Sequence, residues 1–148
     1  MKEYLTEHLS HSFITASNYL YTSPILFVKK PGSSLQFYID YCKLNTLTKK
    51  DTYPIPRINK LLAQVSKAKI FTKLDIRQAF HRIRINLQSE DYTTFKTYYR
   101  TYKYKVLPFG LYNSPSIYQR YINNVLIEYL DDFYIAYLDN ILIYSKNP

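Results

Sequence analysis

Short runs in which apolar and polar residues alternate recur along the chain, and this period-two pattern is typical of β-strands. The first two runs, 25–30 and 35–40, are separated by Pro31-Gly32-Ser33-Ser34. They predict a β-hairpin, because glycine accepts the positive φ that a type II turn requires. Further strands are predicted at 70–75, 82–86, 93–98 and 102–106.

The last part of the chain contains its longest apolar stretch. Asp139-Asn140 stands between apolar runs at 133–138 and 141–145, which predicts a second hairpin with that dipeptide as its turn. The stretch 133–144 has 12 residues, two of them polar. A membrane-spanning helix needs about 20 apolar residues, so no membrane partner is expected.

Three segments have apolar residues at helical spacing. Residues 2–10 predict a short amphipathic helix with Tyr4, Leu5 and Leu9 on one side, and 57–67 predicts a second helix. A third begins at Ser114-Pro115, where serine caps a helix and proline fits its first turn, and it is predicted to continue to about residue 130. Its predicted buried stripe comprises Tyr118, Tyr121, Ile122, Val125 and Tyr129. Strands and helices mixed without a regular βαβ rhythm indicate an α+β fold.

Composition and charge narrow the class of partner. The chain has 148 residues, 47% of them hydrophobic, which indicates a folded domain rather than a disordered segment. The excess of 20 Lys+Arg over 11 Asp+Glu gives a net charge of +9, and 18 Tyr and 8 Phe are interleaved with the basic residues. This combination favours a nucleic-acid partner. The single cysteine, Cys42, excludes an internal disulfide and suits a reducing compartment.

Two carboxylates lie where rigid elements would present them. Asp75 ends one predicted strand and Asp139 lies in the last predicted turn. Each alone is most simply a turn residue, but a pair in a basic chain favours a site that holds Mg²⁺ against a nucleoside triphosphate. A Tyr-x-Asp-Asp sequence also occurs at 129–132. We reject it because Tyr129 belongs to the predicted helix stripe, whereas apolar strands flank only 139–140.

Six ordered segments carry a family resemblance: Ser23–Lys30, Asp40–Asn45, Tyr53–Arg57, Phe71–His81, Leu107–Pro115 and Tyr137–Ser145. In order and spacing they resemble the reverse transcriptase of gypsy-type long-terminal-repeat retrotransposons. The resemblance implies the fingers and palm of a right-hand polymerase, with an antiparallel palm sheet packed on helices and the thumb absent. Within 1–148, the fingers would be mainly 1–70 and 81–106 and the palm mainly 71–80 and 107–148.

The resemblance also implies the catalytic residues. Asp75 and Asp139 would bind metal together with the backbone of Ile76, and Asn140 stands where the family has a third aspartate. The cofactor would be two Mg²⁺ ions, with Mn²⁺ as an alternative. They would promote in-line attack of a primer 3′-hydroxyl on the α-phosphate of a deoxynucleoside triphosphate.

Further residues would contact the nucleotide by the same resemblance: Lys29, Lys30, Gln36, Arg77, Gln78, Ala79, Phe80, Phe109 and Gly110. Phe80 would clash with a ribose 2′-hydroxyl and so select deoxynucleotides, while Lys29 and Lys30 would approach the phosphates. A plain core role for Phe80 stays open, because aromatic residues are usually buried. A solvated strand edge likewise stays open for the two lysines.

Four positions depart from the family pattern. Asn140 has lost a charge that binds divalent metal, and Gln36 and Cys42 replace arginines that would contact phosphate or template. Arg100 replaces a turn glycine, at a predicted cost of about 1 kcal/mol. Each change can arise by one C-to-T or G-to-A transition, which suggests a truncated and degenerate copy of an element.

The sequence therefore predicts an RNA-directed DNA polymerase domain. Its expected partners are an RNA or DNA template with primer, deoxynucleoside triphosphates, and the thumb and ribonuclease H parts of a pol polyprotein. The alternative of a catalytically inactive nucleic-acid-binding remnant stays open. The expected location is intracellular, in the cytoplasm, the nucleus or a virus-like particle.

Overall fold

Most of the predicted strands pair into three small antiparallel sheets in a computed structural model that describes residues 1–29, 35–130 and 132–145. The chain divides into two compact units. Unit 1 comprises Met1–Lys49 with Phe80–Ser114, and unit 2 comprises Lys50–Ala79 with Pro115–Pro148. The mixture of helices and antiparallel sheets confirms the predicted α+β class.

The helices are α1 (Lys2–Ser10), α2 (Cys42–Leu47), α3 (Ile58–Val65), α4 (Leu87–Glu90) and α5 (Ser114–Val125). The strands are β1 (Ile14–Ala16), β2 (Ile25–Lys29), β3 (Leu35–Ile39), β4 (Ile70–Asp75), β5 (Phe95–Lys96), β6 (Thr101–Tyr104), β7 (Tyr134–Tyr137) and β8 (Asn140–Ser145). Short 3₁₀ turns occur at Phe80–Arg82, Asp91–Thr93 and Ile127–Tyr129.

Unit 1 contains two of the sheets. β2 and β3 pair from Ile25 with Ile39 to Lys29 with Leu35, which confirms both strands of the first predicted hairpin. Its predicted turn at Pro31–Ser34, like Lys30, lies outside the described residues. The other sheet has β6 between β1 and β5, and its core consists of Leu5, Ile14, Phe95, Tyr102, Tyr104 and Val106.

Helix α1 confirms the first predicted helix but not its predicted face. Leu5 and His8 are buried whereas Leu9 is exposed. The inward position that was predicted for Leu9 is therefore occupied by His8, one residue earlier. The helix ends in a Schellman motif: the Ser12 N–H donates to the Leu9 carbonyl at 3.0 Å and the Phe13 N–H to the His8 carbonyl at 2.9 Å. Ser12 therefore has a φ of 57°, a conformation that glycine adopts more easily.

The predicted strand at 82–86 is reduced to a single antiparallel bridge between Arg84 and Val106. The Ile85 N–H donates to the Lys105 carbonyl at 2.9 Å and the Leu107 N–H to the Ile83 carbonyl at 2.8 Å. A 3₁₀ turn at Phe80–Arg82 precedes this bridge and α4 follows it. Local hydrogen bonding explains the difference, because the Asn86 side chain accepts the Gln88 N–H at 3.0 Å and so starts a helix. The alternating apolar pattern alone does not reveal this cap.

The strand pair predicted at 93–98 and 102–106 is present but shorter, as β5 and β6. Its turn is held by the Thr97 hydroxyl, which donates to the Arg100 carbonyl at 2.7 Å and accepts the Arg100 N–H at 3.2 Å. The prediction that Arg100 occupies a glycine-like conformation is wrong. Positive φ among described non-glycine residues is confined to Ser12, Gln78 and Leu138, so arginine at 100 carries no such cost.

Unit 2 is built on the sheet β4-β8-β7, in which β8 is the central strand. Helix α5 begins at Ser114 as predicted, but it ends at Val125. Three of the five residues of its predicted stripe are wrong: Tyr118 and Ile122 are buried, whereas Tyr121, Val125 and Tyr129 are exposed. The inward face includes Gln119 instead, and this polar residue is fully buried.

Candidate active site

The first candidate aspartate lies at the end of a strand that is paired along its length. β4 and β8 pair from Ile70 with Ser145 to Asp75 with Asn140. Asp75 is exposed to solvent. The ladder thus fixes the backbone positions of Asp75 and Asn140 side by side, without any contribution from their side chains.

The second candidate aspartate lies in the turn of the β7–β8 hairpin. The last strand pair is Tyr137 with Asn140, so the two turn residues are Leu138 and Asp139. The predicted turn, Asp139-Asn140, is therefore wrong by one residue. Leu138 has a φ of 53°, because tight hairpin turns that match the strand twist need a positive φ at a central residue.

A backbone hydrogen bond joins the two candidate aspartate segments. The Ile76 N–H donates to the Asp139 carbonyl at 2.9 Å. This bond continues the β4–β8 ladder one step beyond its last pair and brings Ile76 to the hairpin turn. The structure therefore brings together Asp75, Ile76, Asp139 and Asn140, which are the four residues predicted to form the catalytic and metal-binding part of the site.

Asn140 differs from an aspartate in what it does to its neighbour. Its side-chain amide donates a hydrogen bond from Nδ2 to Asp139 Oδ1 at 3.0 Å. An aspartate at this position would repel the Asp139 carboxylate, and a divalent cation would be needed to hold both. Among residues 1–29, 35–130 and 132–145, no group of three or more His, Cys, Asp or Glu side chains could hold a metal ion.

Gln119 supports the turn, although sequence reasoning did not assign it to the site. Its amide nitrogen donates to the Ala136 carbonyl and to Asn123 Oδ1, both at 3.0 Å. Its Oε1 accepts the Leu138 N–H at 2.9 Å. A glutamine between Tyr118 and Ile122 on a helix was the available signal, because a polar residue beside an apolar face needs buried partners.

The loop after β4 carries three of the predicted nucleotide contacts. Arg77 and Gln78 are exposed and Ala79 is buried. Gln78 has a φ of 53°. Non-glycine residues rarely adopt this conformation, and it often marks a functional loop. Unit 2 therefore has a residue with positive φ near each candidate aspartate in sequence: Gln78 after Asp75, and Leu138 before Asp139.

Phe80 and Phe109, both in unit 1, lie against each other. Their ring centroids are 4.9 Å apart and the planes are inclined at 65°, an edge-to-face arrangement that favours a fixed ring position. Phe80 is buried and Phe109 is exposed. Burial of Phe80 is what a core role requires, and its role as a nucleotide gate stays a prediction.

Gly110 has a φ of +93°, which L-residues rarely adopt. The side chain of Asn45 brackets this glycine: its Nδ2 donates to the Gly110 carbonyl and its Oδ1 accepts the Tyr112 N–H, both at 2.8 Å. The Asn45 side chain thus makes, with the backbone of Gly110 and Tyr112, the two hydrogen bonds that a neighbouring strand would otherwise make. Sequence reasoning noted Asn45 as a matching residue but did not assign this role.

The remaining described nucleotide candidates, Lys29 and Gln36, lie on the β2–β3 hairpin, and Cys42, which replaces a predicted template-side arginine, begins α2. Lys29 is exposed, while Gln36 is half-buried and its Oε1 accepts the Tyr38 hydroxyl at 2.7 Å. Cys42 is exposed, and its N–H donates to Asp40 Oδ1 at 2.9 Å. Hydrogen bonding to the Asp40 carboxylate raises the pKa of the Cys42 thiol, so this side chain stays neutral where an arginine would be charged.

Two histidines with no role predicted from sequence are buried together in unit 1. The rings of His8 and His81 have centroids 5.3 Å apart. His8 Nδ1 donates to the Tyr4 carbonyl at 3.0 Å, and neither His81 nitrogen has a hydrogen-bond partner among the described residues. Burial lowers the pKa of His8, and burial followed by the proximity of His8 lowers the pKa of His81 to about 4.

Helices of the described segments are all too short or too polar to cross a membrane.

The chain is 39% identical over 148 residues to the retrovirus-related Pol polyprotein from transposon opus of Drosophila melanogaster, with 97% of this chain and 15% of that protein covered. It is 35% identical over 147 residues to the transposon Tf2-7 polyprotein of Schizosaccharomyces pombe, covering 99% of this chain and 11% of the relative. The chain thus spans a small fraction of either polyprotein.

Solved structures show the same fold. The foamy viral protease-reverse transcriptase in complex with an RNA/DNA hybrid matches 99% of this chain and 19% of its own, with a TM-score of 0.89 and 18% identity. The native prototype foamy virus protease-reverse transcriptase matches all of this chain and 20% of its own, with a TM-score of 0.89 and 23% identity. The sequence profile described as reverse transcriptase (RNA-dependent DNA polymerase) matches residues 28–148. This chain belongs to the reverse transcriptase family.

Proposed function

We propose that the chain adds deoxynucleotides to a primer 3′ end as the RNA-directed DNA polymerase domain of a long-terminal-repeat retrotransposon. One observation carries the proposal: the Ile76–Asp139 backbone bond brings Asp75, at the end of β4, to the carboxylate in the β7–β8 turn. Two carboxylates held by paired strands are rigid enough to position reacting groups. The proposed partners are an RNA or DNA template with primer, deoxynucleoside triphosphates and the other parts of a pol polyprotein.

The oxygen ligands of the candidate site fit a divalent metal ion only in part. Family members generally use divalent ions, and Asp75, Asp139 and the Ile76 carbonyl offer the hard oxygen ligands that Mg²⁺ prefers. When bound, Mg²⁺ supplies Lewis-acid stabilisation of the phosphate charge. Asn140 weakens the fit, because it brings no charge and its amide occupies Asp139 Oδ1. Activity of this chain is therefore expected to be low.

The proposed roles of the two units follow from their contents. Unit 2 holds the carboxylates and is assigned to the palm, and unit 1 holds Lys29, Gln36, Phe80, Phe109 and Gly110 and is assigned mainly to the fingers. The predicted boundaries differ from the unit limits, since 50–70 belong to unit 2, whereas residue 80 and residues 107–114 belong to unit 1; residue 70 is already in β4. The nucleotide roles of these residues and of Lys30, Arg77, Gln78 and Ala79 remain proposals.

Primer extension on poly-rA/oligo-dT with Mg²⁺ or Mn²⁺ tests the proposal, comparing the chain with Asn140→Asp. We expect the restored carboxylate to raise the extension rate at least about tenfold, which corresponds to about 1.4 kcal/mol of barrier. Asp75→Asn on the Asn140→Asp background is the matched control and should abolish extension.

Three outcomes would contradict the proposal. Extension that survives Asp75→Asn would show that the carboxylate pair is not the site. Equal and robust extension with either residue at 140 would refute the role given to Asn140. No extension by any variant, with template binding retained, would show an inactive nucleic-acid-binding chain.

Location follows from the proposed substrates. Deoxynucleoside triphosphates are intracellular metabolites, so the proposed reaction takes place in the cytoplasm, the nucleus or a virus-like particle. Detection of extension products in subcellular fractions of cells that express the chain tests this point.

A further inference from the structure

The sheet of unit 2 has one edge that the chain protects and one that it leaves open. The strand order is β4-β8-β7, so β4 and β7 are the two edges. On the β7 side, the Gln119 side chain bonds to the Ala136 carbonyl and to the Leu138 N–H. An edge whose backbone groups are satisfied in this way is protected against pairing with another strand. The edge at which a further strand can join this sheet is therefore β4.

The backbone groups on the open side of β4 belong to every second residue. The Ile76 N–H bonds across the sheet to the Asp139 carbonyl at 2.9 Å. Because bonded and non-bonded pairs alternate along an antiparallel ladder, the even-numbered residues of β4 bond to β8. The N–H and C=O groups of Phe71, Lys73 and Asp75 therefore point away from β8, and no other described strand lies on that side.

The side chains of β4 are exposed along the whole strand. Ile70, Phe71 and Leu74 are 42%, 50% and 47% exposed. Lys73 and Asp75 are exposed as well, and neither belongs to an ion pair within the described segments. A long, exposed and apolar edge strand is a site at which another chain can pair. β4 thus offers apolar contacts, backbone hydrogen-bonding groups and two opposite charges.

We propose that β4 pairs antiparallel with β4 of a second copy of this chain, about a two-fold axis at Leu74. In this register Lys73 of each copy lies opposite Asp75 of the other, and opposite charges stabilise cross-strand pairs. The two leucines meet at the axis. A shift of the register by two residues would place Lys73 opposite itself, where like charges destabilise the pair. The charges therefore select one register, in which two three-stranded sheets join into one of six strands.

The pairing has consequences for assembly size and for the candidate active site. Because each copy has one open edge, the contact is isologous and the assembly closes as a dimer instead of growing. The Asp75 carboxylate is then held by a lysine ammonium, which competes with a divalent metal ion for the same oxygens. The dimer is therefore expected to be inactive. This consequence rests on the proposed function, whereas the pairing does not.

Analytical ultracentrifugation tests the pairing at about 0.15 M salt, where a Debye length of about 8 Å screens the repulsion between two chains of net charge +9. We expect the unaltered chain to dimerise in the micromolar range. Lys73→Glu and Asp75→Lys should each weaken the dimer at least about tenfold, since the two-fold axis repeats every like-charge pair. An equimolar mixture of these two variants should dimerise again, because each pair across the axis then has opposite charges.

The matched control is Lys60→Glu, which makes the same change of charge at an exposed lysine of α3 and should dimerise like the unaltered chain. Circular dichroism should show the same fold for all variants, because the altered side chains are exposed. Where a single variant does not fold, the double variant Lys73→Glu/Asp75→Lys, which keeps the net charge, should dimerise.

Amide hydrogen exchange measures the register directly. The Lys73 and Asp75 amides should exchange fast in the dilute chain and become protected as its concentration rises. The Thr72 and Leu74 amides, which bond to β8, should be protected throughout. On the Asn140→Asp background, primer extension per chain should fall as the concentration rises through the dimer range, and this fall should be absent in Lys73→Glu.

Four results would overturn the proposal: a chain that stays monomeric throughout the micromolar range, a dimer that Lys73→Glu does not weaken, a mixture that associates no better than its components, or growth into larger assemblies. Protection of the Lys73 amide at the lowest concentration would also overturn it, by showing that another part of this chain covers the edge. Dimerisation without primer extension by any variant would remove the polymerase proposal and leave this one standing. Extension without dimerisation would do the opposite.

Discussion

Replacement of Gln119 by leucine should loosen the β7–β8 turn and reduce the stability of the chain. Leucine has nearly the same length but no amide, so the Leu138 N–H and the Ala136 carbonyl each lose a partner. β7 is an edge strand of its sheet, and no further strand can replace that partner. Asn123 is half-buried and can turn to water, so its lost bond should matter less.

The expected magnitude follows from two opposing terms. A buried backbone group left without a partner costs about 1–3 kcal/mol; the Ala136 carbonyl is buried and the Leu138 N–H is half-buried, so the two together cost about 3 kcal/mol. Burial of the more apolar leucine side chain returns roughly 2 kcal/mol. We therefore expect a net loss of about 1 kcal/mol, which lowers the melting temperature by roughly 2–4 °C for a chain of this size.

Urea unfolding followed by circular dichroism measures the change in the free energy of unfolding, and amide hydrogen exchange measures the local opening of the β7–β8 turn. Gln88→Leu is the matched control, because Gln88 is exposed on α4 and should change stability by less than about 0.5 kcal/mol. Exchange at Leu138 should be faster in Gln119→Leu than in the control. A stability change no larger than the control's, or unaltered exchange at Leu138, would refute the reasoning.

The remaining predictions concern unit 1. Ser12→Gly should raise the free energy of unfolding by about 1 kcal/mol, because glycine adopts the φ of 57° without strain; a loss of stability in urea unfolding would contradict this. Gly110→Ala should destabilise by about 1 kcal/mol through its φ of +93° alone, since a Cβ would lie 3.5 Å from its nearest neighbours, an ordinary contact; a matched loss in Gly110→Ser would support the backbone origin. Stability should fall as pH drops from about 6.5, the ordinary histidine pKa, to about 4, the pKa of buried His81. The unfolded chain binds the proton more tightly across this window, the loss should be on the order of 3 kcal/mol, and His81→Phe should flatten the profile.

Elements with strong local patterns could be predicted from the sequence. The β2–β3 hairpin and β4 follow from alternation, and β7 and β8 follow from the apolar runs on either side of Asp139. In unit 2 the backbone segments of Asp75 and Asp139 lie side by side. The turn position was wrong by one residue because pairing of Asn140 with both Tyr137 and Asp75 extends β8. Alternation does not define where a ladder ends.

Residues that act through side-chain amides could not be predicted in the same way. Gln119 bonds to backbone groups that are 17 and 19 positions away in sequence. Asn45 bonds to backbone groups that are 65 and 67 positions away. No local period encodes such distant partners. The strand predicted at 82–86 is shortened to one bridge at Arg84, because a 3₁₀ turn at Phe80–Arg82 precedes it and the capping bond at Asn86 starts a helix after it.

The place of residue 140 on the central strand of its sheet has a consequence for how such chains change over generations. Its backbone pairs with Tyr137 on one side and Asp75 on the other, and that pairing does not involve its side chain. A codon change from aspartate to asparagine can therefore remove the charge that the proposed function assigns to this position while the strand pairing stays intact. Cellular quality control, which removes unfolded chains, does not recognise this kind of loss. Natural selection can detect it only through the failure of the element to be copied.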